Sequence, residues 1–202
     1  MLLRIHPENP SQRQINTVVD CLRSGGIIIY PTDTIYGLGC DIYNKKAVEQ
    51  IAQYKGIKKE KANFSFICSD LSHISDFTRP INNDVYKLMR KNLPGPFTFI
   101  LNANNNVPKL FQSKKKQVGI RVPDNNIIRT IVEELGNPIL SSSVKDEDEI
   151  VEYTTDPELI YEKFKNIADI VIDGGYGDNE PSTILDCTQD EIVIVRQGKG
   201  EL

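Results

Sequence analysis

Apolar residues recur at helical spacing at Ile15, Val18, Val19 and Leu22, with Ser11 placed to cap the helix and Gly25-Gly26 to stop it. Ile27 to Tyr30 follows as a short continuous apolar run, the pattern of a strand buried on both faces of a sheet. The alternation then repeats. Asn44 opens a helix through Val48 and Ile51 that ends at Gly56, and after a charged loop Phe64 to Cys68 reads as a strand. Val85, Leu88 and Met89 mark a helix halted before Pro94-Gly95-Pro96, with Phe97 to Leu101 as the next strand. Val118 to Val122 is a strand ending at Pro123, and Ile127, Ile128, Ile131, Val132 and Leu135 lie on one helix closed by Gly136.

Ile139 to Ser142 reads as a strand, Asp146 to Glu149 as an acidic loop, and a helix is expected near Pro157 to Lys165. The last quarter is mostly strands: Ile170 to Asp173, Thr183 to Cys187 and Ile192 to Arg196. Helices and strands that alternate early, followed by strands in succession, predict an α/β chain of the α+β type with a mixed β-sheet flanked by helices. No repeat, low-complexity tract or linker divides residues 1–202, so one domain is expected, with its motifs within about residues 15–200.

Composition narrows the function classes. The chain has 24 Lys and Arg against 28 Asp and Glu, a net charge of −4, which argues against a whole-surface nucleic-acid binder and leaves only a local basic patch. Cys21, Cys40, Cys68 and Cys187 show no C-x-x-C spacing, and His6 and His73 are the only histidines, so free thiols fit better than a zinc site or a disulfide framework. Met1 to His6 carries no apolar leader core, and no window approaches the ~20 apolar residues that cross a bilayer. The expectation is a soluble, cytoplasmic protein.

Five stretches carry candidate chemistry. In Gly25 to Gly39 an apolar strand runs into Thr32, Asp33 and Thr34 and then a Tyr36-Gly-Leu-Gly39 turn; ligands of α/β sheets bind beyond strand ends, which would place the hydroxyls of Thr32, Thr34 and Tyr36 at a ligand. The competing reading is a turn shaped by Pro31 and the glycines. Lys55, Lys58, Lys59 and Lys61 crowd a loop before Asn63, suited to phosphate oxygens, although an isolated lysine cluster is more commonly a solvated loop. Arg121, ending an apolar strand in Gly119-Ile-Arg-Val-Pro123, offers a planar fork to a carboxylate or phosphate, or else a structural salt bridge. Ser141, Ser142 and Ser143 end another strand, and Ser182 and Arg196 lie at the edges of the last ones.

Taken in order, Pro31-Thr-Asp-Thr-Ile-Tyr-Gly-Leu-Gly39, the Lys55-Gly56 loop, Asn63, Pro94-Gly-Pro-Phe-Thr98, Gly119-Ile-Arg-Val-Pro123, Ser143, Pro181-Ser-Thr-Ile184 and Arg196-Gln-Gly198 resemble the YrdC/YciO-like family from about Ile15 to Gly200. The resemblance implies a twisted mixed sheet with a large concave, positively charged groove. It implies ATP binding and an L-threonylcarbamoyladenylate synthase activity, which joins L-threonine, bicarbonate and ATP and releases pyrophosphate, toward threonylcarbamoyladenosine in tRNA. Mg²⁺ would accompany ATP, with no metal ligand from the protein. The alternative within the same resemblance is a non-catalytic protein that binds double-stranded RNA or tRNA.

By the same resemblance Thr32, Arg121 and Ser182 contact the amino acid, Arg121 holding its carboxylate. Lys55, Lys58 and Asn63 belong to the nucleotide-phosphate loop, Ser143 to the Ser-Ala-Asn signature, and Arg196 lies near the nucleotide. Positioned cations of this kind can bring a carbamate onto an α-phosphate and stabilise departing pyrophosphate without a covalent nucleophile. Three positions depart from the synthase pattern. Lys55-Gly56-Ile57-Lys58 stands for Lys-Gly-Arg-Pro with a longer stretch to Asn63, Cys68 stands for a histidine, and Ser143-Val144-Lys145 stands for Ser-Ala-Asn. With Asn63-Phe-Ser-Phe-Ile-Cys68 and Asp70-Leu-Ser72 they resemble the YciO branch.

Overall fold

The computed structural model describes residues 1–56, 64–108, 116–143 and 155–202. Most of its helices begin where a short polar side chain satisfies a free backbone N–H. The Oδ1 of Asn44 accepts from Ala47 N (3.0 Å) to start α2 (Lys45–Tyr54). Asn82 accepts from Val85 N (2.8 Å) to start α4 (Asn83–Asn92), and Asn125 from Ile128 N (3.3 Å) to start α5 (Asn126–Leu135). Gly136 closes α5 at φ +85, a left-handed conformation that a Cβ would strain. Asp156 caps α6 (Pro157–Phe164). Ser11 precedes α1 (Gln12–Arg23) with cap-like backbone angles but without the expected side-chain bond; its carbonyl accepts from Gln14 N and Ile15 N instead.

The strands are β1 (Leu2–Arg4), β2 (Ile28–Tyr30), β3 (Gly37–Asp41), β4 (Ser65–Ile67), β5 (Phe97–Asn102), β6 (Gln117–Arg121), β7 (Ile139–Ser143), β8 (Ile170–Asp173), β9 (Thr183–Asp186) and β10 (Val193–Arg196). Among the described residues they form one mixed ten-stranded sheet in the order β1-β8-β2-β3-β7-β4-β6-β5-β9-β10. The expected mixed α/β sheet and single domain are what the chain folds into. Three elements were not anticipated: β1, which pairs parallel to β8; the short helix α3 (Leu71–Ser75) behind the cap Asp70; and β3, where a turn was expected. In Gly37-Leu-Gly39 the alternation of glycine with an apolar residue is a strand pattern whose glycines serve close packing.

Strand side chains alternate between two cores. On one face α1 and α5 lay Ile15, Val18, Leu22, Ile127, Ile131 and Val132 against Ile28, Tyr30, Ile67, Ile139, Ile170 and Ile172. On the other, Val48, Ile51, Val85, Met89, Ile160 and Phe164 of α2, α4 and α6 pack on Ile29, Leu38, Cys40, Phe66, Phe99, Ile120 and Leu140. The α1/α5 face continues past those helices along β3, β7, β4, β6 and β5. There its positions are Gly37 and Gly39, Ser141 and Ser143, Ser65, Gly119 and Arg121, and Thr98, each alternating with a residue of the opposite face. This small, polar strip of sheet face is where the sequence motifs converge.

Candidate functional site

Glycine and serine make the floor. The Tyr30 ring leaves β2 and crosses β3, and its hydroxyl donates to Ser141 Oγ on β7 at 2.6 Å. A Cβ on Gly37 would lie 2.5 Å from that ring, and a Cβ on Gly39 would lie 3.1 Å from it and 2.3 Å from the Leu140 carbonyl oxygen. Ser65, Gly119, Ser141 and Ser143 are partly exposed, so the strip is open to solvent in its centre.

The segment 31–36 folds back over this floor. Thr32 Oγ1 donates to the Ile35 carbonyl (2.8 Å) and accepts from Thr34 N (3.0 Å), a local turn of the kind short hydroxyl side chains favour. The consequence is seen at Arg121. Register places Arg121 beside Ile67, Ile67 beside Ile139 and Ile139 beside Asp41, at the far end of β3 from Gly37. Yet its Nη2 reaches Thr32 Oγ1 at 3.4 Å and donates to Asp33 Oδ1. Ligand-binding hydroxyls at the end of β2 were the expectation; the fold-back replaces that arrangement with one lying over the sheet face. Of the three hydroxyls, only Thr32 stays partly exposed. Thr34 is buried, and the buried Tyr36 donates to the Gly175 carbonyl at 2.6 Å.

Arg196 approaches from β10. Its Nε and Nη2 donate to the Ser182 carbonyl at 3.2 and 2.7 Å, and Ser182 Oγ lies 2.9 Å from Thr98 Oγ1. Arg196 pairs with Ile184 and Ile184 with Thr98, which puts both arginines on the same face. Desolvation first, and then the positive charge of Arg121, lower the Arg196 pKa.

Lys55 reaches the same rim from the end of α2, its Nζ donating to the Ser143 carbonyl at 2.5 Å; Ser143 itself pairs with Gly37. Thr32, Arg121, Ser143, Ser182 and Arg196 are therefore brought to one face, while Lys55 reaches the end of β7 from α2, which packs on the opposite face. Lys58 and Asn63 lie outside the described residues, as do Ile57, Lys59, Lys61, Lys114, Lys115 and Lys145. Cys68 is fully buried in the core behind the sheet, where burial pushes its thiol pKa up, and its backbone N–H donates to the Arg121 carbonyl.

Beside Thr32 opens a cavity of about 520 Å³ lined by Thr32, Asp33, Thr155, Tyr176, Asp178 and Lys199, with Gly177 and Asn179. Lys199 Nζ donates to the Asp33 carbonyl and to Asp178 Oδ2, both at 2.8 Å, tying the folded-back segment to the loop after β8. Sequence reasoning did not single out Tyr176, Asp178 or Lys199. The glycines at 174, 175 and 177 were the available signal, because they mark a loop that must approach other backbone closely.

The model of the Sua5/YciO/YrdC domain, described as telomere recombination, matches residues 20–198. The chain belongs to this family. Its relatives within the family divide in character. YciO of Escherichia coli K12 is 42% identical over 200 residues, covering 98% of this chain and 95% of its own length. A threonylcarbamoyl-AMP synthase of Coxiella burnetii is 31% identical over 182 residues, covering 90% and 96%. The crystal structure of E. coli YciO superposes with a TM-score of 0.91 at 41% identity, covering 100% of this chain and 97% of that one. P. abyssi Sua5, crystallised with L-threonine, shares the fold with a TM-score of 0.87 at 23% identity, this chain covering 57% of it. Those five residues and Lys55 all fall within the span that the family model matches. No helix among the described residues is long and apolar enough to cross a membrane.

Proposed function

We propose that this Sua5/YciO/YrdC protein binds ATP and an α-amino acid on the Gly/Ser floor and forms a carbamoyl adenylate, in which the N-carboxylated amino acid is joined to AMP through its carbamate, as an L-threonylcarbamoyladenylate synthase or a near relative of one. The observation that carries the reading is the placement of Arg121 and Arg196 on one sheet face by the strand register through β6, β5, β9 and β10. One guanidinium for the amino-acid carboxylate and one for the nucleotide is the minimum for joining two anions. Similarity to the C. burnetii threonylcarbamoyl-AMP synthase and the fold shared with L-threonine-bound Sua5 support the choice of substrates.

In this reading Thr32, Arg121 and Ser182 hold L-threonine, while Lys55, Lys58, Asn63, Ser143 and Arg196 hold ATP. The threonine amine takes the carbon of bicarbonate, with loss of water, to give the carbamate, whose oxygen then displaces pyrophosphate from the α-phosphorus of ATP. The described residues contain no group of three or more His, Cys, Asp or Glu able to hold a metal ion. In this reading Mg²⁺ enters with ATP, carried by phosphate oxygens and water. The test is pyrophosphate release from ATP with and without L-threonine and bicarbonate. Release that needs both is expected; ATP consumption equal to the no-threonine background would sink the proposal.

A further inference from the structure

Asp33 and Arg121 form a buried ion pair that leaves one polar atom of each unpartnered. Arg121 Nη2 donates to Asp33 Oδ1, and the side chains keep 9% and 13% of their exposure. Asp33 Oδ2 and Arg121 Nε are buried with no hydrogen-bond partner among the described residues. An arginine and a carboxylate free to choose their geometry make two parallel bonds. This pair meets end-on through a single nitrogen, and unsatisfied buried atoms of this kind in a folded chain call for a reason.

The charges around the pair supply one. A carboxylate ligand that takes Arg121 Nη2 displaces Asp33 from it, and a carboxylate left without its partner in so buried a place is stabilised only beside another cation. Lys199, whose Nζ already holds the Asp33 carbonyl, is paired with Asp178. A simple carboxylic acid brings no cation. An α-amino acid brings one, carried on the carbon next to its carboxylate, so that Arg121 with the carboxylate and Asp33 with the ammonium re-pair both charges at once. Thr32 and Asp33 also line the 520 Å³ cavity, which gives the ligand a path to this side of the pair.

We propose that Asp33 is a specificity-determining residue that reads the ligand's amino group through ion-pair exchange at Arg121, admitting zwitterionic α-amino acids and rejecting acids without the amino group. The proposal rests on the reading of Arg121 as the carboxylate site. It differs from a plain autoinhibitory contact, in which Asp33 would only compete with the ligand and its loss would strengthen every acid alike.

The experiment is calorimetric titration of the wild-type chain and of Asp33→Asn with L-threonine, with 3-hydroxybutyrate, which is threonine lacking the amino group, and separately with ATP, after a thermal melt has shown the variant to be folded. Wild type should prefer threonine by about tenfold or more; in Asp33→Asn threonine should weaken by a similar factor while 3-hydroxybutyrate holds or improves. A wild-type chain that binds both ligands alike overturns the inference without needing a variant. So does an Asp33→Asn chain that keeps the wild-type preference or binds both more tightly. If wild type binds neither threonine nor ATP, the functional reading itself falls and takes this inference with it.

Discussion

Tyr30 on β2 donates its hydroxyl to Ser141 on β7 across the intervening strand β3, at 2.6 Å. The bridge is possible because β3 presents Gly37 and Gly39 beneath the ring. Packing, hydrogen bonding and the shape of the floor are thus set by one contact, which explains why glycine stands at two positions of a strand that glycine would otherwise weaken.

Gly39→Ala is expected to destabilise the fold by roughly 1–3 kcal/mol, since the new methyl meets the Leu140 backbone oxygen, which cannot swing aside. Tyr30→Phe should cost less, about 0.5–1.5 kcal/mol, because partly exposed Ser141 can turn to water. Urea unfolding of both variants checks the order; a Gly39→Ala chain as stable as wild type would contradict the packing argument.

Arg121→Ala removes one member of a buried pair and strands Asp33, a change of about 3–5 kcal/mol in comparable settings. The double variant with Asp33→Ala should recover part of that loss. Chemical denaturation of the two single variants and the double variant reads the coupling directly, and simple additivity would show that the pair is not energetically joined.

Arg196 is exposed on an edge strand, and its guanidinium donates to the Ser182 carbonyl. Arg196→Ala is therefore expected to leave the melting temperature much nearer to wild type than Arg121→Ala does, while cutting threonine-dependent pyrophosphate release by about tenfold or more, as loss of a charge-stabilising group does. Melting curves and the release assay separate the two effects. Wild-type turnover in this variant would remove Arg196 from the nucleotide half of the site.

Stability should fall on acidification. Burial lowers the His73 pKa from its ordinary 6.5, so below that value the unfolded chain takes up a proton that the folded chain resists. Asp178, whose pKa is lowered by the Lys199 hydrogen bond, acts in the same direction below its ordinary 3.8. Urea midpoints should be flat above pH 6.5 with respect to these groups, decline as His73 titrates and decline again in stronger acid. His73→Asn should flatten the first decline, and a slope unchanged in that variant would show that His73 does not cause it.

Much of the fold was legible along the chain. The helical periodicities of α1, α2, α4 and α5, the Asn44 cap of α2 and the apolar runs of β2, β5, β6, β7 and β8 depend on neighbours a few residues away, which a single sequence displays. Gly37-Leu-Gly39 read as a turn because small residues usually mark one, and only the ring of Tyr30 lying on it shows that these glycines are cut to fit a strand. Leu2 to Arg4 becomes a strand only by pairing with Val171 to Asp173, at the other end of the chain.

The candidate site divides in the same way. Residue chemistry by itself pointed to hydroxyls and cations near strand ends, Thr32, Arg121, Ser143, Ser182 and Arg196 among others, each a weak signal alone; it was the order of the motifs, through the resemblance to the YrdC/YciO-like family, that implied roles for them and for Lys55. Tertiary structure alone decided that Thr34 and Tyr36 turn inward, that Arg121 meets Asp33 and that Lys199 ties Asp33 to Asp178. Those contacts join segments up to 166 residues apart, and their pairing is set by strand order and by the fold-back of one loop, neither of which has a local signature.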